Sequence, residues 1–219
     1  MVWDKAYTSE KKVWGEKPSE LAHYAVSYLK QSSRFKERSD LFILDLGCGY
    51  GRDAVYLANH LPCHVLGLDN SEKAISIAKD FISEKLKKRI ELLCYDFTHV
   101  TDKYDIIMAS NLYQIINKET RKKMIETIKR CLKADGLLFM STLSVRDPQH
   151  SVEGGTPVED EQNTFISARG IGIHLATRQE LEESFDFLNI YALFEREYDE
   201  PRSTENHHHI SWLMMGSLK

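Results

Sequence analysis

The chain has 219 residues, of which 42% are hydrophobic, and this is enough for one well-buried core formed by residues 1–219 as a single domain. The formal net charge of −4 leaves no large basic surface for a phosphate backbone, so we expect a small-molecule substrate and no nucleic acid partner. Since no apolar run is long enough for a signal peptide or a membrane span, we expect a cytoplasmic protein without membrane association. Its four cysteines are scattered along the chain, and we expect them to be reduced.

From residue 41 onward, apolar runs typical of buried parallel strands alternate with amphipathic stretches typical of helices. Because parallel strands need right-handed crossovers, this alternation predicts a doubly wound α/β sheet. The predicted strands are residues 41–47, 64–69, 90–97, 104–110 and 136–143, and the predicted helices are residues 51–61, 71–88 and 118–132.

The last third of the chain has a different organisation. Residues 144–173 form a long irregular stretch, which in a compact domain is typical of a substrate lid, the alternative being a solvated excursion. Thr177 and Glu180 have the spacing of a capping box for a following helix. The strand-like runs 189–198 and 208–218 are joined by a connector too short for a crossover helix, so we expect an antiparallel hairpin.

The motif LDLGCGYG places Gly47, Gly49 and Gly51 in the turn after the first strand. Glycines let the backbone approach a ligand closely and adopt positive φ, which indicates a nucleotide-type ligand. The dinucleotide fingerprint has a third glycine at the position that Arg52 occupies here, so a pyrophosphate is disfavoured. The carboxylate of Asp45 would repel a pyrophosphate and attract an ammonium group, so the ligand should carry a positive charge.

Two further strand ends carry residues suited to an adenosine. Asp69 ends the second strand, where an acidic side chain can accept hydrogen bonds from both ribose hydroxyls. Asp96 and Phe97 end the third predicted strand and offer a carboxylate for an adenine amino group and an aromatic face for the ring. These residues and the glycine turn indicate one adenosine-like ligand.

LDLGCGYG, the strand-end Asp69, YDF at 95–97 and YDIIMAS at 104–110 together resemble the class I S-adenosylmethionine (SAM)-dependent methyltransferases. The resemblance covers about residues 40–145. It implies a Rossmann-like sheet of seven strands in the order 3-2-1-4-5-7-6, with strand seven antiparallel, and SAM as the cofactor. The implied cofactor-binding residues are Asp45, Gly47, Cys48, Gly49 and Gly51 for the methionine part, Asp69 for the ribose, Asp96 and Phe97 for the adenine, and Asn70 and Ser110 beside them.

The N-terminal leader, residues 1–35, is similar to that of small-molecule methyltransferases of the tellurite-resistance and thiopurine type. Such a leader can fold over the cofactor, or its aromatic residues can simply cover the core. The resemblance implies methyl transfer to a thiol, a metalloid or an oxygen or nitrogen acceptor, the first two being favoured. A SAM-binding regulator or inactive relative is the alternative, and a nicotinamide dehydrogenase is a third option that Arg52 disfavours.

Three consecutive histidines begin the last predicted strand at the ligand-binding edge of the sheet. Strand alternation directs His207 and His209 to one face and His208 to the other.

These histidines allow two interpretations. A metal site would combine the same-face pair with Glu197, Glu200 or His174. The interpretation that we prefer is that the pair lines the substrate pocket without a metal. The catalytic candidates are Tyr113, just after the fourth strand, His174, His207 and His209.

Overall fold

The computed structural model describes residues 2–9, 15–150, 155–201 and 206–219. The helices are α1 Val2–Ser9, α2 Glu20–Gln31, α3 Arg52–His60, α4 Glu72–Phe81, α5 Lys118–Cys131 and α6 Arg178–Ser184. The strands are β1 Leu41–Leu46, β2 Cys63–Asp69, β3 Ile90–Cys94, β4 Tyr104–Ser110, β5 Leu132–Leu143, β6 Thr156–Pro157, β7 Thr164–Ile166, β8 Gly172–His174, β9 Leu188–Pro201 and β10 Asn206–Leu218.

The main sheet has seven strands in the order β3-β2-β1-β4-β5-β10-β9. The five strands β1 to β5 run parallel to one another, whereas β10 is antiparallel to both β5 and β9. The predicted order 3-2-1-4-5-7-6, with strand seven antiparallel, is therefore confirmed.

The sheet separates two layers of apolar side chains. Adjacent residues Ile43 and Leu44 of β1 belong to different clusters, as alternation along a strand requires. The Ile43 cluster contains Leu57 of α3 and further residues of α2 and α4, whereas the Leu44 cluster contains Met124 of α5 and Leu181 of α6. Both faces of the sheet are thus covered by helices, which explains why β1 and β4 are almost entirely apolar.

Most predicted boundaries differ from the structure by one to three residues, and three differences stand out. The helix predicted to reach residue 88 ends at Phe81, and β5 starts at Leu132 instead of residue 136. The third strand ends at Cys94, because the side chain of Asp96 accepts a hydrogen bond from the N–H of Thr98 (2.9 Å) and starts a short 3-10 turn.

The stretch after β5 is more ordered than predicted. Three short strands, β6, β7 and β8, form a separate antiparallel sheet, which we call the small sheet. Leu143, Phe165, Ile173 and Leu175 form a cluster of buried side chains beneath it. The prediction of an irregular excursion is wrong in this respect, whereas the lid role of residues 144–173 stays a prediction.

The N-terminal leader contains α1 and α2, and its residues 10–14, among them the aromatic Trp14, lie outside the described ranges. Across the helices that the structure describes, none combines the length and the apolar character needed to cross a membrane.

Candidate cofactor and substrate site

A cavity of about 620 Å³ lies at the carboxyl ends of β1, β2 and β4. The loop after β1 and the ends of β2 and β4 line it, together with His150 and residues of the segment 167–173 that leads into β8. Tyr198 and His209 also line it, and their strands β9 and β10 lie at the opposite end of the sheet from β3 and β2. Open α/β sheets bind their ligands at this edge, so the cavity is the candidate functional site.

The glycine loop is shaped by its backbone contacts. Gly47 and Gly49 have positive φ angles of 70° and 55°, which L side chains rarely adopt. The N–H groups of Gly47 and Cys48 donate to the carbonyl of Leu68 (2.8 and 3.0 Å), and a Cβ atom at Gly47 would lie 2.8 Å from a methyl carbon of Leu112. Both the conformation and the space at Gly47 therefore require glycine.

Asp45 is the most unusual carboxylate of the cavity. It is 2% exposed, and its Oδ2 atom has no hydrogen-bond partner among the residues that the structure describes. Burial raises the pKa of Asp45 well above its usual range, and the neighbouring carboxylates of Asp53 and Asp69 raise it further. The hydroxyl oxygen of Ser110, at the end of β4, is also buried without a partner in the described part of the chain. Such orphaned oxygen atoms fit a ligand with positively charged and hydrogen-bond-donating groups.

Asp69 connects the end of β2 to the glycine loop. Its Oδ2 accepts a hydrogen bond from the N–H of Gly49 (2.9 Å), and its Oδ1 accepts one from the N–H of Ser71 (2.9 Å). Burial raises the pKa of Asp69 despite these hydrogen bonds. Asp69 thus organises the loop and also lines the cavity together with Asn70.

The end of β3 supplies an aromatic and acidic wall. Tyr95, Asp96 and Phe97 all line the cavity. Tyr95 is 46% exposed, and the Asp96 side chain already caps the turn that follows. This wall has the flat apolar surface and the carboxylate that an adenine ring needs.

Two of the predicted cofactor-binding residues, Gly51 and Cys48, have surroundings that differ from those expected of residues that bind the cofactor. Gly51 does not line the cavity; it precedes α3 with φ of 78°, and a Cβ atom there would lie 2.6 Å from a methyl carbon of Leu92. Cys48 lines the cavity, but burial raises the pKa of its thiol well above the usual range. Gly51 therefore meets a packing requirement of the fold, and the raised pKa of the Cys48 thiol disfavours the thiolate form that a nucleophile needs.

The structure does not bring Tyr113 and His174 to the cavity. The Tyr113 hydroxyl donates to Oε1 of Glu180 (2.8 Å), and Nε2 of His174 lies 2.8 Å from the same atom. The other ring nitrogen of His174 pairs with the hydroxyl of Thr164 (2.7 Å). Sequence proximity to a strand end suggested a pocket role for Tyr113, but burial among these partners places both residues in a polar cluster that fastens the small sheet to α6.

From these contacts we expect Glu180→Ala to lower the stability of the fold without a direct effect on the cavity. Loss of the shared carboxylate leaves the Tyr113 hydroxyl and Nε2 of His174 without this partner, which should lower the free energy of unfolding by about 1–3 kcal/mol. For a chain of this size that corresponds to about 2–4 °C in Tm per kcal/mol. Thermal unfolding and SAM titration measure both effects, and we expect cofactor affinity to change less than about threefold, below 1 kcal/mol.

Glu182→Ala is the matched control for that measurement, because Glu182 lies on the same helix and pairs at the surface with Arg178. A Glu180→Ala protein that keeps its Tm but loses SAM affinity would contradict this account.

The terminal histidines separate as alternation predicts. His209 is 4% exposed and lines the cavity, and its Nδ1 lies 3.0 Å from Oδ2 of Asp147. His208 is directed to the other face, where its Nδ1 lies 3.0 Å from Oδ1 of Asp199. The side chain of His207 lies outside the described residues. His174 is remote from this group, so the metal combination considered from sequence does not assemble with it.

Asp147 was missed by sequence reasoning, and His150 was not selected as a site residue. Asp147 precedes Pro148, a pattern that signals only a turn, and its partner His209 lies 62 residues further along the chain. No local spacing connects them, so the sequence carried no signal for this pair.

The N-terminal helix covers the glycine loop. Trp3 and Tyr7 of α1 line the cavity, and an ideal Cβ atom on Gly49 would lie 3.0 Å from the Tyr7 hydroxyl. Asp4 accepts a hydrogen bond from the Ser71 hydroxyl (2.6 Å), which ties α1 to the start of α4. This position suits the predicted role as a cover of the cofactor, which stays a prediction.

Comparison with known proteins identifies related sequences. Residues 43–136 match a family described as a methyltransferase domain. Malonyl-[acyl-carrier protein] O-methyltransferase of Bacillus anthracis is 28% identical over 146 residues, which is 65% of this chain and 52% of that protein. The probable SAM-dependent methyltransferase TehB of Haemophilus influenzae is 29% identical over 108 residues, 48% of this chain and 37% of that protein. The chain thus spans about half or less of the length of these curated relatives.

The fold has counterparts among solved structures. A SAM-dependent methyltransferase from Methanosarcina mazei superposes with a TM-score of 0.72 at 18% sequence identity. The superposition covers 92% of this chain and 98% of that one. At this identity the likeness establishes the shared fold.

Proposed function

We propose that this protein transfers the methyl group of SAM to a nucleophilic atom of a small molecule, a proposal that the match of residues 43–136 to a methyltransferase-domain family supports. The observation that carries the proposal is the buried oxygen of Asp45 beside the glycine loop, which has no hydrogen-bond partner within the described ranges of the chain. A buried carboxylate without a partner is costly, and a cationic ligand in the cavity would relieve that cost.

The residues present fit SAM. Asp45 and the glycine loop, which lets a ligand approach the backbone closely, would hold the amino-acid part, and Asp69 would accept from the ribose hydroxyls. Tyr95, Asp96 and Phe97 would hold the adenine. This assignment follows the order in which the residues lie along the cavity edge of β1, β2 and β3.

SAM supplies a methyl group on a positively charged sulfur, which is already an excellent leaving group. The protein itself must therefore align the acceptor, exclude water and, where the acceptor is protonated, take up a proton. The aromatic residues of α1 and the apolar residues Ile171 and Ile173 line the cavity and supply the apolar surface that such exclusion of water needs.

The acceptor would occupy the end of the cavity away from the glycine loop. His150, Arg169, Tyr198 and His209 line this end and provide both hydrogen-bonding and charged groups. A small polar molecule suits such a wall better than a long apolar chain.

The proposal is tested by measuring S-adenosylhomocysteine formation with a panel of thiols, phenols, amines, carboxylates, selenite and tellurite. We expect acceptor-dependent product with at least one class, and none with protein omitted. Tight SAM binding without turnover on any acceptor would favour the alternative of a SAM-binding regulator.

A further inference from the structure

The carboxylate of Asp147 is the centre of a polar group that includes two cavity histidines. Asp147 is 4% exposed. Its Oδ2 accepts a hydrogen bond from the N–H of Ile210 (2.9 Å). Its Oδ1 accepts hydrogen bonds from the N–H groups of His150 (2.9 Å) and Gln149 (3.1 Å). Each oxygen also lies 3.0 Å from an imidazole Nδ1, that of His150 for Oδ1 and that of His209 for Oδ2.

These contacts determine the protonation pattern of the group. Burial by itself raises the pKa of Asp147, but the hydrogen bonds from His150, His209 and the Ile210 N–H outweigh it and hold the pKa well below the usual range. An ionised carboxylate accepts hydrogen bonds and donates none. Both Nδ1 atoms must therefore carry a proton, so Nε2 is the atom of either ring that can take up or release a second one.

Both imidazoles belong to the cavity wall, whereas Asp147 lies behind them. The rings of His150 and His209 are stacked, with an interplanar angle of 22° and 5.4 Å between centroids. The Tyr198 ring lies 5.6 Å from that of His209, and Arg169 lines the same end of the cavity. Asp147, His150, Tyr198 and Arg169 are thus titratable or charged groups near His209, which lies on a strand three places from β1 in the sheet order.

The same three side chains are close enough to hold a metal ion, with candidate ligand atoms within 4.8 Å of one another. The hydrogen bonds argue against that use. A carboxylate has about four lone-pair sites, and three backbone N–H groups and two imidazoles already approach Asp147. A metal would have to replace both imidazole contacts and remove the proton from each Nδ1, whereas a proton acceptor uses these contacts as they are.

We propose that His209 is the general base of the methyl transfer and that Asp147 is its positioning residue, with His150 held in the same tautomer beside it. The inference rests on the proposed function and specifies its substrate class: an acceptor that carries a proton on oxygen or nitrogen. The acceptor atom forms a bond to the methyl carbon as the carbon–sulfur bond breaks, and that electron pair stays on sulfur in S-adenosylhomocysteine. The acceptor's proton moves to Nε2 of His209, and the Asp147 carboxylate stabilises the resulting imidazolium.

Imidazole ¹⁵N spectra of the full-length protein test the positioning role without any acceptor. We expect His209 and His150 to show the Nδ1–H tautomer in the wild-type protein. In Asp147→Asn the side-chain amide can accept from only one of the two rings, so one histidine should change to the Nε2–H tautomer. A wild-type His209 in the Nε2–H form, or tautomers unchanged by Asp147→Asn, would overturn the inference.

Rates with matched phenols and thiophenols test the base. Thiophenols are largely thiolates at neutral pH and need no base, so His209→Ala, His209→Gln and Asp147→Asn should slow phenol methylation about 100-fold or more and thiophenol methylation far less. The loss should appear in kcat, with KM for SAM changed less than about threefold. The His209 variants should also lose the fall in rate toward low pH that protonation of this base causes.

His208→Ala is the matched control, because His208 lies on the opposite face of β10 and pairs with Asp199. Phenol turnover that is insensitive to His209→Gln would overturn the inference while leaving the proposed function intact. Stoichiometric metal in the purified protein that is lost in Asp147→Asn would overturn it in favour of a metal site. A wild-type protein that methylates no acceptor would refute the proposed function and this inference with it.

Discussion

Replacing Asp45 by asparagine is expected to stabilise the ligand-free protein and to weaken SAM binding. The carboxylate is buried, one of its oxygens has no partner among the described residues, and the carboxylates of Asp53 and Asp69 repel its charge. Removal of this buried charge should raise the free energy of unfolding at neutral pH by about 1–3 kcal/mol. Loss of a charged partner for an ammonium group should weaken SAM binding about 10- to 100-fold. Calorimetric titration and thermal unfolding measure the two effects, which have opposite signs.

The pH dependence of this variant follows from the raised pKa of Asp45, which burial causes first and the neighbouring carboxylates increase. A carboxyl whose pKa is raised in the folded protein contributes stability below its unfolded pKa of about 3.9. That contribution is lost as the pH rises through the folded pKa. The advantage of Asp45→Asn over the wild type should therefore be larger at pH 8 than at pH 4.

The wild-type affinity for SAM should correspondingly increase with pH, since a cationic ligand favours the ionised form of Asp45 and binding releases a proton. The asparagine variant should lack this dependence. Asp80→Asn, an exposed carboxylate on α4, is the matched control. Destabilisation by Asp45→Asn together with unchanged SAM affinity would contradict the role assigned to Asp45.

Asp69→Ala is expected to produce the largest loss of cofactor binding. The substitution removes the acceptor of the Gly49 and Ser71 N–H groups, so the glycine loop loses its connection to the end of β2. It also removes the carboxylate that would receive the ribose hydroxyls. The two losses together should weaken SAM binding by more than about 100-fold, which is about 2.7 kcal/mol.

Asp69→Asn separates these contributions, because the amide keeps one oxygen to accept from either Gly49 or Ser71 but cannot accept at both positions. Its affinity should lie between those of the wild type and Asp69→Ala. If both Asp69 variants bind SAM as the wild type does and retain its Tm, the ribose assignment is wrong.

The features predicted well from the sequence are those with a local signal. The doubly wound sheet and its terminal hairpin followed from apolar runs and from the short connector before the last strand, whereas the order of the strands was implied by the resemblance to the class I methyltransferases. The glycine turn and the strand-end Asp69 were recognisable because each follows a strand directly, and the carboxyl ends of parallel strands meet at one edge.

The features that sequence reasoning missed depend on contacts between distant segments. The strands of the small sheet have two or three residues each, too few to show an alternating pattern. The side chain of Tyr113 is buried toward Glu180 of α6, 67 residues away, and not toward the cavity. Asp147 has its main partners on β10, so only the folded chain shows that it holds His209.

The central claim is that the cavity at the glycine loop binds SAM. Isothermal titration of the full-length protein with SAM, S-adenosylhomocysteine and NADH tests it most directly. We expect SAM and S-adenosylhomocysteine to bind one to one and to compete with each other. Both should bind far more weakly to Asp69→Ala, and NADH should not bind. Binding of NADH in place of SAM, or SAM binding that Asp69→Ala leaves unchanged, would contradict the claim.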